Sequence, residues 1–234
     1  METNFIDLET NLRHDRLWCI GVETHDKARQ LYAPDTVIQD WPEESLLPIS
    51  ALPAPDSAYW VAHNGAHFDF PKLEELAGWA VPEELWIDTL LLSKMHDPNI
   101  HGGHSLANLA RLAGGAVKTD FDVADFDLGY TPKMGAYCLD DNSAMRDVYY
   151  WLLAKLEKMR YPWRAVLPLE LRHMVVTDEQ CGNGFMLNRE RANNRYTDLC
   201  SRERDITEKL QHEWPAITHR RFSDKQKDED GNWK

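Results

Sequence analysis

Alternating apolar and polar positions predict β-strands at the start of the chain. Residues 5–10 form an apolar run that contains two acids, Asp7 and Glu9. Side chains alternate between the two faces of a strand, so these two acids share one face while their apolar neighbours point into a core. The runs 17–22 and 29–32 follow after short, turn-like connections. Three successive strands with short connections predict an antiparallel meander.

The next hundred residues are divided by proline, glycine and further apolar runs. Residues 33–57 contain five prolines, which predicts an irregular connection with one short helix around 43–50. Residues 59–62 are a short apolar run typical of a buried strand, and a helix is predicted over about 70–78. The apolar run 87–93 is the next buried segment.

Helical periodicity dominates the rest of the chain. Ser105 is an expected N-cap for a helix that ends at Gly114. Residues 133–158 carry apolar positions at helical spacing. Two more charged helices are predicted over 169–180 and 188–214, separated by glycines, and a polar tail follows them.

Composition indicates a protein with a substantial core. The chain has 234 residues, 43% of them hydrophobic, with nine tryptophans. It contains no apolar segment long enough to span a membrane and no signal-peptide pattern at its start. The four cysteines are scattered without paired spacing, which is typical of reduced thiols in a cytosolic protein. We therefore expect a cytoplasmic location and no membrane partner.

The net charge of −13 is unevenly distributed. Residues 1–159 carry 12 Lys and Arg against 26 Asp and Glu, whereas residues 160–234 carry 14 against 13. An acidic first part disfavours broad, sequence-independent duplex binding, which requires neutralisation of phosphates. It is compatible with a nuclease, because a metal cluster is itself built from acids.

Two polar segments are weak metal candidates. His101 and His104 flank two glycines, but no further ligand stands at zinc spacing, so we expect a mobile loop. Residues 116–133 hold four aspartates without the glycine and terminal glutamate of a calcium loop, which predicts a solvated acidic loop.

Four carboxylates in three predicted elements form the strongest candidate site. Asp7 and Glu9 share a strand face, Asp69 stands at a helix start and Asp141 lies on the helix 133–158. Taken singly, each has a plain structural explanation, such as an edge strand with solvated acids for the first pair and helix capping for Asp69. Together they match a pair of Mg²⁺ ions for phosphodiester hydrolysis, in which one ion lowers the pKa of an attacking water and the other stabilises the leaving oxygen. Tyr137, one turn before Asp141, can orient that water.

The ordered set resembles a known family. The segments Asp7-x-Glu9-Thr10, Asn64-x3-Phe68-Asp69 and Tyr137-x3-Asp141 look like the three motifs of DEDD-type 3′–5′ exonucleases, tyrosine subclass. The match is closest to the N-terminal proofreading domain of family A DNA polymerases from short-tailed bacteriophages. Further similar stretches are Ile87-Asp88-Thr89-Leu90-Leu91-Leu92-Ser93 and His104-Ser105-Leu106-x2-Leu109. The resemblance covers about residues 3–158.

The resemblance implies a fold, a site and a substrate. The fold would be α/β and ribonuclease H-like, a mixed sheet flanked by helices over residues 1–160, with a helical hairpin and polar tail over 168–234. Two Mg²⁺ (or Mn²⁺) ions would bind the four carboxylates, and Tyr137 would position water. The side chains of Thr10, Asn64 and Phe68 would contact the substrate, a single-stranded or frayed DNA 3′ end.

A histidine-subclass assignment is the competing interpretation of the third motif. That subclass places a histidine five residues before its last aspartate, and His173 and Asp178 have this spacing. The pair lies beyond residue 158, in a stretch that predicts another helix, so we favour Tyr137 and Asp141.

The second part of the chain suggests a polymerase partner. Residues 179–185 resemble the segment that opens the thumb of the same polymerases, but no palm or finger motif follows. We therefore expect the exonuclease part of a split phage-type polymerase, with a separate family A polymerase chain as partner; a fragment of a longer polymerase would give the same sequence. The hairpin's basic residues would lie near DNA or that chain: Arg189, Arg191, Arg195, Arg202 and Arg204. The alternatives are a DEDD-type exoribonuclease and a non-catalytic polymerase accessory subunit.

Overall fold

The structure is a computed structural model that describes residues 2–115 and 121–214. Its contacts divide the chain into two compact units, with the boundary between Asn183 and Gly184. No helix among the described residues is long and apolar enough to cross a lipid bilayer. The polar tail after residue 214 and residues 116–120 of the predicted acidic loop lie outside the described residues.

The first unit is a six-stranded mixed sheet flanked by helices, as the sequence predicts. The strands are β1 (Thr3–Thr10), β2 (Leu17–Glu23), β3 (Arg29–Ala33), β4 (Leu46–Pro48), β5 (Tyr59–Ala62) and β6 (Trp86–Asp88). Their order in the sheet is β4-β3-β2-β1-β5-β6. The pairs β1–β2 and β2–β3 are antiparallel, which confirms the meander. The other three pairs are parallel.

In the part of this unit that the structure describes, six α-helices accompany the sheet. They are α1 (Asp35–Asp40), α2 (Asp69–Ala77), α3 (Thr89–His96), α4 (Leu106–Ala113), α5 (Pro132–Lys158) and α6 (Trp163–Asn183). The long helix α5 packs across β1 and β2, and α3 and α4 pack against α5. Ser105 caps α4 and Gly114 ends it in the left-handed conformation, as expected. The core of this unit lies on both faces of the sheet, because α5 covers the face that carries Phe5 while Ile6 and Leu8 on the opposite face are buried as well.

Two boundaries differ from the sequence prediction. The short helix expected around 43–50 is found at α1 instead, and residues 46–48 form the edge strand β4. Trp163 and Leu167, which precede the predicted start of α6 at residue 169, are buried in the core. Their burial keeps the helix intact through Pro168, although proline removes one backbone hydrogen bond. Helix α6 thus belongs to the first unit, although it was expected to begin the second domain.

The second unit contains one described helix, α7 (Arg189–Glu213). The Asn188 side chain accepts a hydrogen bond from the Arg191 backbone N–H and caps this helix, as predicted. None of its residues is buried. The hairpin arrangement of α6 and α7 remains a prediction.

Candidate active site

Strand β1 presents its two acids to α5. Phe5 packs edge-on against Tyr149 of α5, with ring centroids 5.7 Å apart. Because side chains alternate along a strand, Asp7 and Glu9 lie on the same face as Phe5. One ligand atom of each acid and the Cys138 sulfur all lie within 4.8 Å of one another. The first motif therefore places both carboxylates beneath the long helix.

Asp69 reaches β1 because β5 is short. Strand β5 pairs only with Thr3–Phe5 of β1, so the later backbone of β1 is not covered by that strand. The Asp69 side chain is only 4% exposed, and a backbone hydrogen bond from Leu8 lowers its pKa. Burial, the negative charge of Asp7 and that of Asp88 outweigh this effect and raise the pKa well above the ordinary value. The carboxyl of Asp69 thus faces the Asp7 side of β1.

Helix capping does not explain Asp69. The N-cap position of α2 is Phe68, and Asp69 is the first helical residue. The buried carboxyl of Asp69 instead accepts a hydrogen bond from the backbone N–H of Leu8 in β1 and lies near Asp7. A negative charge in the first turn still interacts favourably with the helix dipole.

Asp141 is buried where α5 crosses β1 and β2. In the β1–β2 register, Asp7 is opposite Gly21. An ideal Cβ built on Gly21 would lie 2.8 Å from the Cys138 Sγ atom, so α5 approaches the sheet closely at this point. Asp141 is three residues after Cys138, hence on the same helical face, and is 5% exposed. The third motif thus brings its acid to the same crossing.

Tyr137 lies against an aromatic cluster beside α5. Its ring centroid is 5.4 Å from that of Phe121 and 6.5 Å from that of Phe126. Phe126 is in a short 3-10 helix (Val123–Leu128) within the predicted acidic loop. The segment is therefore more structured than a solvated loop, and its rings hold the half-buried tyrosine in place.

The predicted substrate residues Thr10 and Phe68 line a common cavity. This cavity of about 190 Å³ also includes Glu9, Leu12 and His14 in its wall. The Thr10 hydroxyl and the His14 Nδ1 atom are 2.9 Å apart, and the His14 ring packs edge-on against Phe68 at 4.9 Å. A cavity lined by two of the predicted substrate residues thus adjoins Glu9.

Asn64 belongs to the turn between β5 and α2, and Asp88 holds that turn. The Asp88 carboxylate accepts hydrogen bonds from the backbone N–H groups of Asn64 and Ala66 at 3.0 and 3.2 Å. It also accepts those of Leu90 and Leu91 at the start of α3. Burial raises the pKa of this carboxyl. Sequence reasoning gave Asp88 no role, although an acid directly before a helical run signals an N-cap.

Cys138 is the second site residue that sequence reasoning did not assign to the site. It lies within the helix predicted over 133–158, and its thiol is fully buried. Burial and the neighbouring Cys19 raise the pKa of the Cys138 thiol well above its ordinary value, and the charges of Asp7 and Glu9 add to this effect. A core thiol therefore forms the floor of the carboxylate site.

The competing histidine candidates do not join this group. Asp178 binds His67 at 2.7 Å on the surface of the first unit, and His173 is exposed. The two ring nitrogens of His104 contact the Ser93 hydroxyl and the Pro98 carbonyl at 2.8 and 3.1 Å, so that ring has a structural role. Among the described residues, the group with converging potential ligands is Asp7, Glu9 and Cys138.

The donor set fits a hard divalent cation. Carboxylate oxygens are the ligands that Mg²⁺ and Mn²⁺ prefer. Burial raises the pKa of Asp69, and repulsion by the negative charge of Asp7 raises it further. A bound cation would offset this repulsion. The residues that would hold it are Asp7, Glu9, Asp69 and Asp141.

Comparison with solved structures agrees with this architecture. The structure is similar to Brucella melitensis NrnC with bound Mg²⁺ at a TM-score of 0.55 and 17% identity, over 76% of this chain and 83% of that one. It is similar to Escherichia coli RNase D, an exoribonuclease involved in structured RNA processing, at 0.53 and 16%, over 76% and 45%. The chain shares their fold. B. melitensis NrnC bound to pGG matches at 0.51 and 14%, over 76% and 83%.

The sequence matches no protein-family model and no curated protein. The shared fold confirms the predicted ribonuclease H-like sheet with flanking helices.

Proposed function

We propose that this chain is a metal-dependent 3′–5′ exonuclease that removes nucleoside 5′-monophosphates from a DNA 3′ end. The observation that carries the proposal is the meeting of Asp7 and Glu9 on one strand face, with Asp69 beside Asp7 and Asp141 buried at the same helix crossing. Burying several acids together is unfavourable unless cations bind there. Two Mg²⁺ or Mn²⁺ ions suit four carboxylates.

The residues of the chain divide the work of hydrolysis. When bound, the cations supply water activation and offset charge on the leaving 3′ oxygen. Tyr137 orients the attacking water through its phenol, whose ordinary pKa near 10 suits hydrogen bonding better than proton abstraction. Thr10, Asn64 and Phe68 position the terminal nucleotide. Attack breaks the bond between phosphorus and the 3′ oxygen of the preceding nucleotide.

Single-stranded or frayed ends are the proposed substrates. The cavity of about 190 Å³ that Glu9, Thr10 and Phe68 line is where the terminal nucleotide would lie. A paired terminus must first be unstacked at a cost of a few kcal/mol. The motif resemblance to proofreading domains favours DNA, with a separate family A polymerase chain as partner.

An exoribonuclease is the second candidate. It is favoured by the fold shared with E. coli RNase D, an exoribonuclease, and with B. melitensis NrnC, which has been solved bound to pGG. The chemistry at the phosphate is the same for both substrates. The two candidates therefore differ in how the site treats the 2′-hydroxyl.

A timed digest tests the proposal. DNA and RNA oligonucleotides of one sequence, each labelled at the 5′ end, are incubated with Mg²⁺ and, in parallel, with EDTA. We expect a ladder that shortens from the 3′ end only with Mg²⁺, and faster with DNA. Faster trimming of RNA would favour the second candidate. No trimming of either, also with a polymerase chain added, would indicate an accessory subunit.

A further inference from the structure

The Cys138 thiol gives the carboxylate site a sulfur ligand that magnesium chemistry does not need. Its Sγ atom belongs to the group of ligand atoms within 4.8 Å that includes Asp7 and Glu9. Mg²⁺ is a hard ion that binds oxygen, whereas thiolates select softer ions such as Zn²⁺ and Cd²⁺. The same group of side chains can therefore accept two chemically different classes of cation.

A second thiol lies beside the first. Cys19 pairs with Glu9 in the β1–β2 register, so its side chain lies on the same sheet face. It hydrogen-bonds to Cys138, and both thiols are fully buried. Asp7, Glu9 and Cys138 thus supply two carboxylates and one sulfur, and Cys19 lies next to that sulfur. Such a mixed sulfur and oxygen set suits tetrahedral Zn²⁺.

The amide of Asn142 is an independent sign of a ligand at this point. Asn142 is fully buried, and neither its Nδ2 nor its Oδ1 atom has a hydrogen-bond partner among the described residues. Its Nδ2 and the Cys138 Sγ atom lie 2.7 and 2.8 Å from the same point, the ideal Cβ position on Gly21. An unpartnered buried amide is unfavourable, and a bound ion that contacts Oδ1, or a water on that ion that accepts from Nδ2, would relieve this.

We propose that Cys138, with Asp7 and Glu9, binds one soft divalent cation of the Zn²⁺ class, and that this cation inhibits the nuclease. Tetrahedral bonds of 2.0–2.3 Å place ligand atoms roughly 3.5 Å apart, so side-chain movements of about 1 Å close the observed spacing. The Cys138 thiol releases its proton to solvent as the sulfur–metal bond forms. The bound ion occupies carboxylate oxygens that catalysis requires for Mg²⁺.

Cadmium binding tests the site without turnover. The full-length protein in excess Mg²⁺ is titrated with Cd²⁺, and the ultraviolet charge-transfer absorption of thiolate–cadmium is recorded. Cys138→Ser removes the sulfur, and Cys181→Ser is the matched control because Cys181 is an exposed thiol. We expect Cys138→Ser to weaken Cd²⁺ binding by about tenfold or more, the low end for disturbed metal sites. Cys181→Ser should keep the midpoint of the wild-type protein, and Zn²⁺ should compete with Cd²⁺.

Two further measurements complete the test. Glu9→Gln keeps the thiol and removes a carboxylate, so it should weaken Cd²⁺ binding while the thiolate–cadmium absorption band persists at saturation. If Cys138→Ser fails to fold, the Glu9→Gln variant decides whether the site binds Cd²⁺. Trimming at fixed Mg²⁺ should lose its Zn²⁺ sensitivity in Cys138→Ser relative to that variant's own rate without Zn²⁺. Equal Cd²⁺ midpoints for wild type and Cys138→Ser would overturn the proposal.

The inhibitory effect rests on the proposed exonuclease function, but the binding site does not. If no protein trims DNA or RNA with Mg²⁺, the proposed function fails while the cadmium titration still decides the site. If trimming proceeds and Cd²⁺ binds equally well without Cys138, the proposed function stands and the proposed cation site fails.

Discussion

At the scale of single residues, two neighbouring aspartates of α5 differ in their environment, since one is buried in the proposed site and the other lies at the surface. Asp141 is buried at the crossing with the sheet. Asp140 is partly exposed and pairs with Arg29 at 2.9 Å, with both side chains about two-fifths exposed to solvent. An ion pair of this kind contributes at most about 1 kcal/mol. Sequence alone could not distinguish their environments.

We therefore expect Asp141→Asn to abolish most Mg²⁺-dependent trimming, because one of four metal ligands is lost. Asp140→Asn, its matched control, should keep nearly the full rate and change stability only slightly. The rates are measured on a 5′-labelled single-stranded oligonucleotide, with thermal melting to check folding. Full activity of Asp141→Asn would show that the third motif is assigned incorrectly.

The raised pKa of Asp69 predicts that, without bound metal, this carboxyl lowers the stability of the folded chain as the pH rises. The folded chain holds this proton more tightly than the unfolded chain, whose value is near 3.8. The group's contribution to stability is thus present below pH 3.8 and is lost as the pH rises through the folded value. In EDTA, Asp69→Asn should melt at a higher temperature than wild type at pH 7. The difference should vanish below pH 3.8, and Mg²⁺ should raise the melting temperature of wild type more than that of the variant. A wild type that melts higher in EDTA at pH 7 would contradict this account.

Asp88 holds the turn that carries Asn64 and the start of α3. Its buried carboxylate accepts four backbone N–H groups from two segments, one of which carries Asn64. In Asp88→Asn the amide NH₂ must face some of these donors, so we expect a loss of about 2–3 kcal/mol in the free energy of unfolding. The exposed carboxylate of Asp97 accepts the backbone N–H of Asn99, so Asp97→Asn should lower the free energy of unfolding far less. Urea denaturation of both variants measures the difference, and equal midpoints would show that Asp88 does not hold the turn.

At the scale of elements, Gly21 sets how closely α5 approaches the sheet. A Cβ there would lie 2.7–2.8 Å from the Asn142 and Cys138 side chains, both fully buried. Gly21→Ala should therefore push the helix away, destabilise the fold by about 1–3 kcal/mol and slow trimming. Gly182→Ala is the control, because nothing lies within 4 Å of its Cβ position. Unchanged melting and rate in Gly21→Ala would show that the helix adjusts without cost.

The sequence predicts the strands and helices better than it predicts the tertiary contacts that hold them in place. Strand alternation placed Asp7 and Glu9 on one face, and helical periodicity gave the limits of α5 to within one residue. The role of Asp88 depends on backbone groups 22 and 24 residues earlier, which no local pattern reveals. The start of α6 was missed because Pro168 suggested a boundary, whereas the burial of Trp163 and Leu167 is a tertiary effect. The position of Cys138 next to the acids likewise follows from the packing of α5 on β1.

At the scale of the whole molecule, the proposed site and the core belong to one unit. Every proposed site residue lies before the boundary at Asn183, and both buried clusters end before it. Helix α7 contributes no buried residue. The acidic charge is also concentrated before residue 160, whereas the later residues carry nearly balanced charge. The proposed catalytic residues and the five arginines of α7 thus lie in different units.

A chain truncated after Asn183 should accordingly fold and keep EDTA-sensitive trimming. Its melting temperature should change by only a few degrees, because the loss of surface residues alters stability by less than about 1 kcal/mol. If the five arginines of α7 contact DNA phosphates, the truncated protein should bind single-stranded DNA more weakly and with a smaller dependence on salt. A full-length variant with those arginines changed to glutamine is the matched control, and it should reproduce the smaller salt dependence. An unfolded truncated chain would show that the first unit needs α7. An unchanged salt dependence of DNA binding in both proteins would instead indicate that α7 contacts a protein partner and not DNA.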